Sequence, residues 1–126
     1  MAAQTSSPAR RTTASHDQAV ELRDIIEFLH EHLGARLLAL TVDVDHRTVG
    51  RWLTDADRGT RFETETRLRA AYQVFRLVQS VEASPTVRAW FMGMNPQLDD
   101  KSPAEAIRDG EARDVMAAAR AFINAG

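Results

Sequence analysis

The chain has 126 residues, of which 44% are apolar and 27% charged, and its formal net charge is −2. This length allows one ordinary domain or two very small ones, with enough apolar side chains to close a core. Because the sequence contains no cysteine, it excludes disulfides, thiolate metal sites and a cysteine nucleophile. It shows neither a charged-then-apolar leader nor an apolar run of roughly twenty residues, so we expect a cytoplasmic protein that does not span a membrane.

Residues 1–15 predict a disordered tail. They are rich in alanine, serine, threonine and arginine and have no periodic apolar positions, so they cannot bury enough surface to offset the entropy of ordering. Arg10 and Arg11 could contact DNA or belong to a phosphorylation site, but a solvated tail is the simpler interpretation.

Two helical patterns and a tight turn follow the tail. Apolar residues at helical spacing predict a first amphipathic helix that ends at Gly34. A second, short apolar stretch leads to Asp43, and Asp45 is a suitable N-cap for a helix from His46 to about Asp55. The spacing over 37–53 is that of a helix-turn-helix unit, with Asp43 in the left-handed turn position that glycine often takes.

The second helix of this unit has an apolar and a polar face. At about 100° per residue, Val49, Trp52, Leu53 and Ala56 point inward, and the opposite face is free to meet DNA. Arginines at the start of such a helix read base edges in the major groove. The candidate DNA-binding residues are Arg47, Thr48, Gly50, Arg51 and Thr54.

The charge around this unit permits DNA binding without requiring it. Residues 36–76 carry eight arginines against six acidic residues. This balance fits a modest affinity for DNA phosphates that dimerisation would increase. Exposed arginines are also often merely solvated. A trihelical packing unit that does not bind DNA is therefore the alternative.

The remaining chain predicts only helices. A long helix starts near Phe62 and continues until Ser84 and Pro85, where Ser84 is expected to cap a further helix that ends before Gly93. The apolar stripe predicted for the long helix is Leu68, Ala71, Tyr72, Phe75, Val78 and Val81. The residues 102–105 form a capping box that starts a short helix ending at Gly110, and 111–124 form the last helix. The predicted fold is an all-α bundle of about six to seven helices, because no segment shows the alternation of a strand.

The sequence gives no support for an enzyme. His30 and His32 lie two residues apart, so on a helix they point in different directions, and an exposed pair is favoured over a metal site. There is no glycine-rich phosphate loop and no nucleophile–base pair. We expect no catalytic residue, no cofactor and no metal.

Several landmarks of the C-terminal half follow one another in a characteristic order. They are Trp90, an Asn95-Pro96-x-Leu98 turn, Ser102-Pro103, Asp109-Gly110, and a last apolar seam of Val115, Ala119, Phe122 and Ile123. In this order the chain resembles the toxin-binding domain of Xre/MbcA/ParS antitoxins, well over about the last sixty residues and loosely over the helix-turn-helix half. From the residues alone, Trp90, Pro96 and Pro103 are better explained as fold residues without a partner contact.

The resemblance implies an antitoxin of a type II toxin–antitoxin system. Its partner would be a RES-type, NAD-consuming toxin or a related ADP-ribosylating one, whose active-site cleft the C-terminal end obstructs. The candidate toxin contacts are Arg113, Arg120, Phe122, Ile123, Asn124 and Gly126. The helix-turn-helix would repress the operon by binding operator DNA, with the chain in a homodimer or a larger toxin–antitoxin hetero-oligomer.

The implied organisation is a tail at 1–15, a helix-turn-helix region at 16–61 and a toxin-binding domain at 62–126. The alternative is a free-standing helix-turn-helix transcriptional regulator whose C-terminal half only dimerises.

Overall fold

The computed structural model describes residues 20–54 and 59–125. Within these ranges the chain is all-α, with no strand, which confirms the predicted fold class. The elements are α1 (Leu22–Leu33), α2 (Ala35–Val42), α3 (His46–Thr54), α4 (Phe62–Gln79), α5 (Ser84–Met92), a 3-10 turn (Pro96–Leu98), α6 (Pro103–Arg108) and α7 (Ala112–Ala125). The predictions for the tail at 1–15, for Asp55 and Ala56, and for Gly126 lie outside the described residues.

The first three helices are joined by two very short connections. Gly34 has a φ of 84°, which favours glycine, and its N–H bonds to the carbonyl of His30 at 3.0 Å, so α1 ends there and α2 begins at the next residue. Asp43 takes the left-handed conformation (φ 62°, ψ 52°) that the sequence predicted for the second connection. The carboxylate of Asp45 accepts the backbone N–H of Arg47 at 2.8 Å, which confirms it as the cap of α3.

Helix α4 packs against α1, α5, α6 and α7 and supplies much of the core. It is shorter than predicted, because the chain turns after Gln79 and the hydroxyl of Ser80 donates to the carbonyl of Leu77 at 2.6 Å. Val81 therefore lies beyond the helix and is 56% exposed, so its place on the buried stripe was wrong. Val74, which the predicted stripe omitted, is buried.

The prediction that Ser84 caps the next helix was also wrong. The N-cap of α5 is Ala83, and Ser84 is already the first helical residue. Proline is tolerated here because the first N–H groups of a helix have no partner within it. The hydroxyl of Ser84 instead accepts a hydrogen bond from Nε2 of Gln79 at 3.1 Å, which links α5 back to the end of α4.

Local side-chain caps shape the C-terminal connections. Oδ1 of Asn95 accepts the N–H of Gln97 at 2.9 Å at the start of the 3-10 turn. Ser102 and Glu105 form the predicted capping box, with reciprocal side-chain-to-backbone bonds of 3.1 and 2.9 Å. Gly110, with a φ of 84°, allows the sharp turn between α6 and α7.

The described helices share one core. Phe75 of α4 is fully buried, and its ring centroid lies 5.5 Å from that of Phe28 in α1 and 5.7 Å from that of Phe91 in α5. Helix α2 packs on α6, so the predicted boundary between 61 and 62 does not divide the core. Within the described ranges, no helix is both long enough and apolar enough to cross a membrane.

Candidate functional site

Helix α3 is held on α1 and α2 by its apolar face. Val49 and Trp52 are buried in the core, and Leu53 is half-buried beside them. At the C-terminal end of the helix, Nη2 of Arg23 in α1 donates to the carbonyl of Leu53 at 3.4 Å. These contacts fix which face of α3 is turned toward solvent.

The predicted DNA-binding residues lie together on and beside that free face. Arg47, Gly50, Arg51 and Thr54 are exposed, and Thr48 is half-buried at the edge. Nη2 of Arg51 donates to the hydroxyl of Thr48 at 3.0 Å, so one side chain orients the other. A Cβ added at Gly50 would meet nothing within 4 Å, so packing inside the molecule does not require this glycine.

The side chain of Arg47 folds back onto the cap of its own helix. Its Nε lies 3.2 Å from Oδ1 of Asp45 and its Nη2 lies 3.4 Å from Oδ2. The side-chain hydrogen bond from Arg47 is the main cause that lowers the pKa of Asp45 from 3.8 to about 2. The Asp45 carboxylate is therefore ionised at neutral pH, and it is the anchor for the guanidinium.

A cleft of about 550 Å³ separates α3 from the beginning of α4. Its walls carry both signs of charge, because Asp43, Asp45 and Glu63 face the same space as Arg61 and Arg67. The other lining residues are Val44, Thr48, Trp52, Gly59, Thr60 and Thr64. This mixed lining has neither the apolar character of a small-molecule pocket nor the positive charge of an anion site.

The predicted toxin contacts fall on two sides of α7. Arg113, Arg120 and Asn124 are exposed and, at seven- and four-residue spacing, lie within about 20° of one stripe. Phe122 is on the opposite side, half-buried, with its ring centroid 6.0 Å from that of Trp90. Ile123 is half-buried, and Gly126 lies outside the described residues. The structure thus brings two arginines and one asparagine together and separates Phe122 from them.

Most landmark residues of the C-terminal half have a structural role. Leu98 and Pro103 are buried, and Trp90 packs at 5.7 Å between ring centroids against Phe91 as well as against Phe122. Pro96 is exposed at the start of the 3-10 turn, and Gly110 provides a left-handed turn. Packing accounts for Trp90, Leu98 and Pro103, and backbone geometry accounts for Gly110 and for Pro96.

Sequence reasoning missed an ion-pair cluster around Lys101. Its Nζ lies 3.1 Å from Oδ2 of Asp109 and 2.7 Å from Oε1 of Glu111, and hydrogen bonds to Glu111 first and Asp109 second raise its pKa. The cluster ties the segment after the 3-10 turn to the connection that starts α7. Nothing in the sequence pattern indicates it, because the partners are eight and ten residues away across a turn.

The two histidines of α1 are half-buried rather than exposed. The ring of His32 stacks on Phe28, with centroids 4.1 Å apart, and its Nδ1 lies 2.8 Å from the Phe28 carbonyl oxygen. Four-residue spacing on a helix makes this pairing possible. In the part of the chain that the structure describes, no group of three acidic or histidine side chains could hold a metal ion.

The helical fold of this chain is similar to that of a protein of known structure. No family model matches the chain, and no curated protein does. A chain in the crystal structure of the M. tuberculosis MbcT–MbcA toxin–antitoxin complex is similar to it, with a TM-score of 0.69 and 24% sequence identity. The match covers 82% of this chain and 95% of that one. The protein therefore has the fold of a component of that toxin–antitoxin complex.

Proposed function

We propose that this protein is an antitoxin that binds a partner toxin and neutralises it. The observation that carries the proposal is the similarity of fold, over 82% of the chain, to a component of the MbcT–MbcA toxin–antitoxin complex. The ordered landmarks from Trp90 to Gly110 support the same function from the sequence. The chain itself has no assigned catalytic role in this proposal.

The exposed stripe of α7 is the proposed contact with the toxin, with the half-buried Ile123 at its edge. Phe122 lies on the opposite side of the helix, against Trp90, so its proposed role is to hold α7 in place. Arg113 and Arg120 present guanidinium groups that can form bidentate hydrogen bonds to carboxylates at the rim of a cleft. Asn124 adds a neutral donor and acceptor one turn further along. A RES-type, NAD-consuming toxin or a related ADP-ribosylating one is the proposed partner, with its active-site cleft obstructed by this helix.

Helix α3 is proposed to read operator DNA as the second helix of a helix-turn-helix, so that the antitoxin represses its own operon. Arg47, Thr48, Gly50, Arg51 and Thr54 would contact the DNA from the face that the core leaves free. A homodimer or a larger toxin–antitoxin assembly would place two such helices on neighbouring half-sites.

Growth of cells that express the toxin tests the neutralisation directly. We expect the protein encoded next to this chain to arrest growth when expressed alone, and growth to resume when this chain is co-expressed. The double variant Arg113→Glu with Arg120→Glu should fail to restore growth, because it reverses two charges on the contact stripe.

The matched control is Arg47→Glu with Arg51→Glu, which reverses the same number of charges on α3. Expressed from an unrelated promoter, it should restore growth as the unchanged chain does. Failure of the unchanged chain to relieve arrest would refute the antitoxin function and leave a free-standing regulator as the better account.

A further inference from the structure

We propose that Asp45 positions the guanidinium of Arg47 so that its remaining free edge reads guanine in the major groove. The inference rests on the proposed DNA-binding function of α3 and adds to it a positioning residue and a preferred base.

The carboxylate of Asp45 caps α3 and also holds the side chain of Arg47. The same carboxylate accepts the backbone N–H of Arg47 at 2.8 Å and its Nε and Nη2 at 3.2 and 3.4 Å. The side chains of Asp45 and Arg47 are 51% and 77% exposed, and exposed pairs of this kind usually contribute little because both side chains must be ordered. Here the cap already immobilises the carboxylate, so only the arginine loses freedom when the pair forms.

The chemistry follows from which N–H groups the carboxylate leaves free. A guanidinium has five N–H donors, and Asp45 takes the edge formed by Nε and Nη2. The edge formed by Nη1 and the outer hydrogen of Nη2 remains, with two parallel donors. Guanine presents two adjacent acceptors in the major groove, N7 and O6, whereas adenine presents a donor where guanine has O6. The free edge of Arg47 therefore matches guanine and rejects adenine.

The position of this pair on α3 suits such a contact. Arg47 is the second residue of the helix, at the end that helices of this type insert toward base edges. The carboxylate of Asp45 also brings a negative charge close to the phosphates, which weakens binding to DNA of any sequence. Asp45 should thus raise the preference for guanine while lowering the affinity for unrelated DNA. A residue that only caps the helix would instead raise the affinity for both kinds of DNA alike.

The variant Asp45→Asn separates these roles, because asparagine caps helices as well as aspartate does but carries no charge. The probes are a duplex enriched from a random-sequence library by the full chain, the same duplex with guanine replaced by adenine at the contacted position, and an unrelated duplex. We expect the unchanged chain to prefer guanine, and Asp45→Asn to reduce that preference roughly tenfold while binding the unrelated duplex equally or more tightly.

Two further variants test whether the change in guanine preference depends on the Asp45–Arg47 pair. Asp114→Asn removes the same charge from the exposed surface of α7 and should leave the guanine preference unchanged. Arg47→Ala should abolish the preference, and Asp45→Asn added to it should change the guanine preference no further, since the two residues would act as one unit in reading the base.

Three results would overturn the inference while DNA binding itself stands. They are an unchanged guanine preference in Asp45→Asn, an equal loss of affinity for all duplexes, and an enriched sequence without a contacted guanine. If the unchanged chain binds no duplex at all, the proposed DNA-binding function fails, and this inference fails with it.

Discussion

Asp45 has two functions at the start of α3, because it caps the helix and anchors Arg47. The pKa of its carboxyl group is lowered from 3.8 to about 2, first by the side-chain hydrogen bond from Arg47 and then by the backbone bond from the same residue. A lowered pKa means that folding favours the ionised form. The contribution to stability is then complete above the unfolded value near 4 and disappears as the pH falls through about 2.

This linkage gives a pH-dependent prediction. From about pH 5 to about pH 2, the unchanged chain should lose more stability than Asp45→Asn, whose cap cannot be protonated in this range. Urea unfolding of both proteins across this window measures the difference. A difference in the free energy of unfolding that stays constant with pH would contradict the assigned role of the carboxylate.

Apart from the cap at Ser84, local caps and turns were the features that the sequence predicted best. Gly34, Asp43, Asn95 and Ser102 each act through residues no more than four positions away, so their effect is visible in short segments of sequence. The end of α4 was missed because the apolar spacing continues through Val81, although the backbone turns at Ser80. There, the hydrogen bonds of the turn determine the structure and the hydrophobic pattern does not.

Helix α4 offers a test of the packing with a built-in control. Phe75 is fully buried, and Phe62, in the same helix, is 81% exposed. Phe75→Ala should destabilise the protein by about 3–5 kcal/mol, because it removes a large side chain from a close-packed core. Phe62→Ala should change stability by less than about 0.5 kcal/mol. Chemical denaturation of the two variants measures both values, and equal losses would show that the core is assigned to the wrong face.

In the molecule as a whole, the helices that carry the two surfaces proposed to bind DNA and toxin pack into one hydrophobic core. Nε of Arg67 in α4 donates to the carbonyl of Arg108 in α6 at 3.0 Å, and α2 packs directly on α6. Such contacts between distant residues, like those of Lys101, leave no periodic trace in a sequence. The C-terminal landmarks could indicate the fold. The packing of the N-terminal helices on the C-terminal ones could be learned only from the structure.

The shared core also decides how toxin binding must be tested. Deleting α7 would remove Val115, Ala118 and Ala119, which are buried in that core, so loss of function would follow from unfolding alone. Charge reversal at Arg113 and Arg120 changes only exposed side chains and keeps the helix in place. Substitution on this stripe is thus the informative change.

The most direct test of the central claim is a calorimetric titration of the protein encoded next to this chain with the purified chain. We predict saturable binding with a Kd of about 10 nM or tighter, and binding weakened by roughly a hundredfold in Arg113→Glu with Arg120→Glu. The matched variant Arg47→Glu with Arg51→Glu should bind as the unchanged chain does. Absence of binding at micromolar concentrations, or equal binding by all three proteins, would contradict the account.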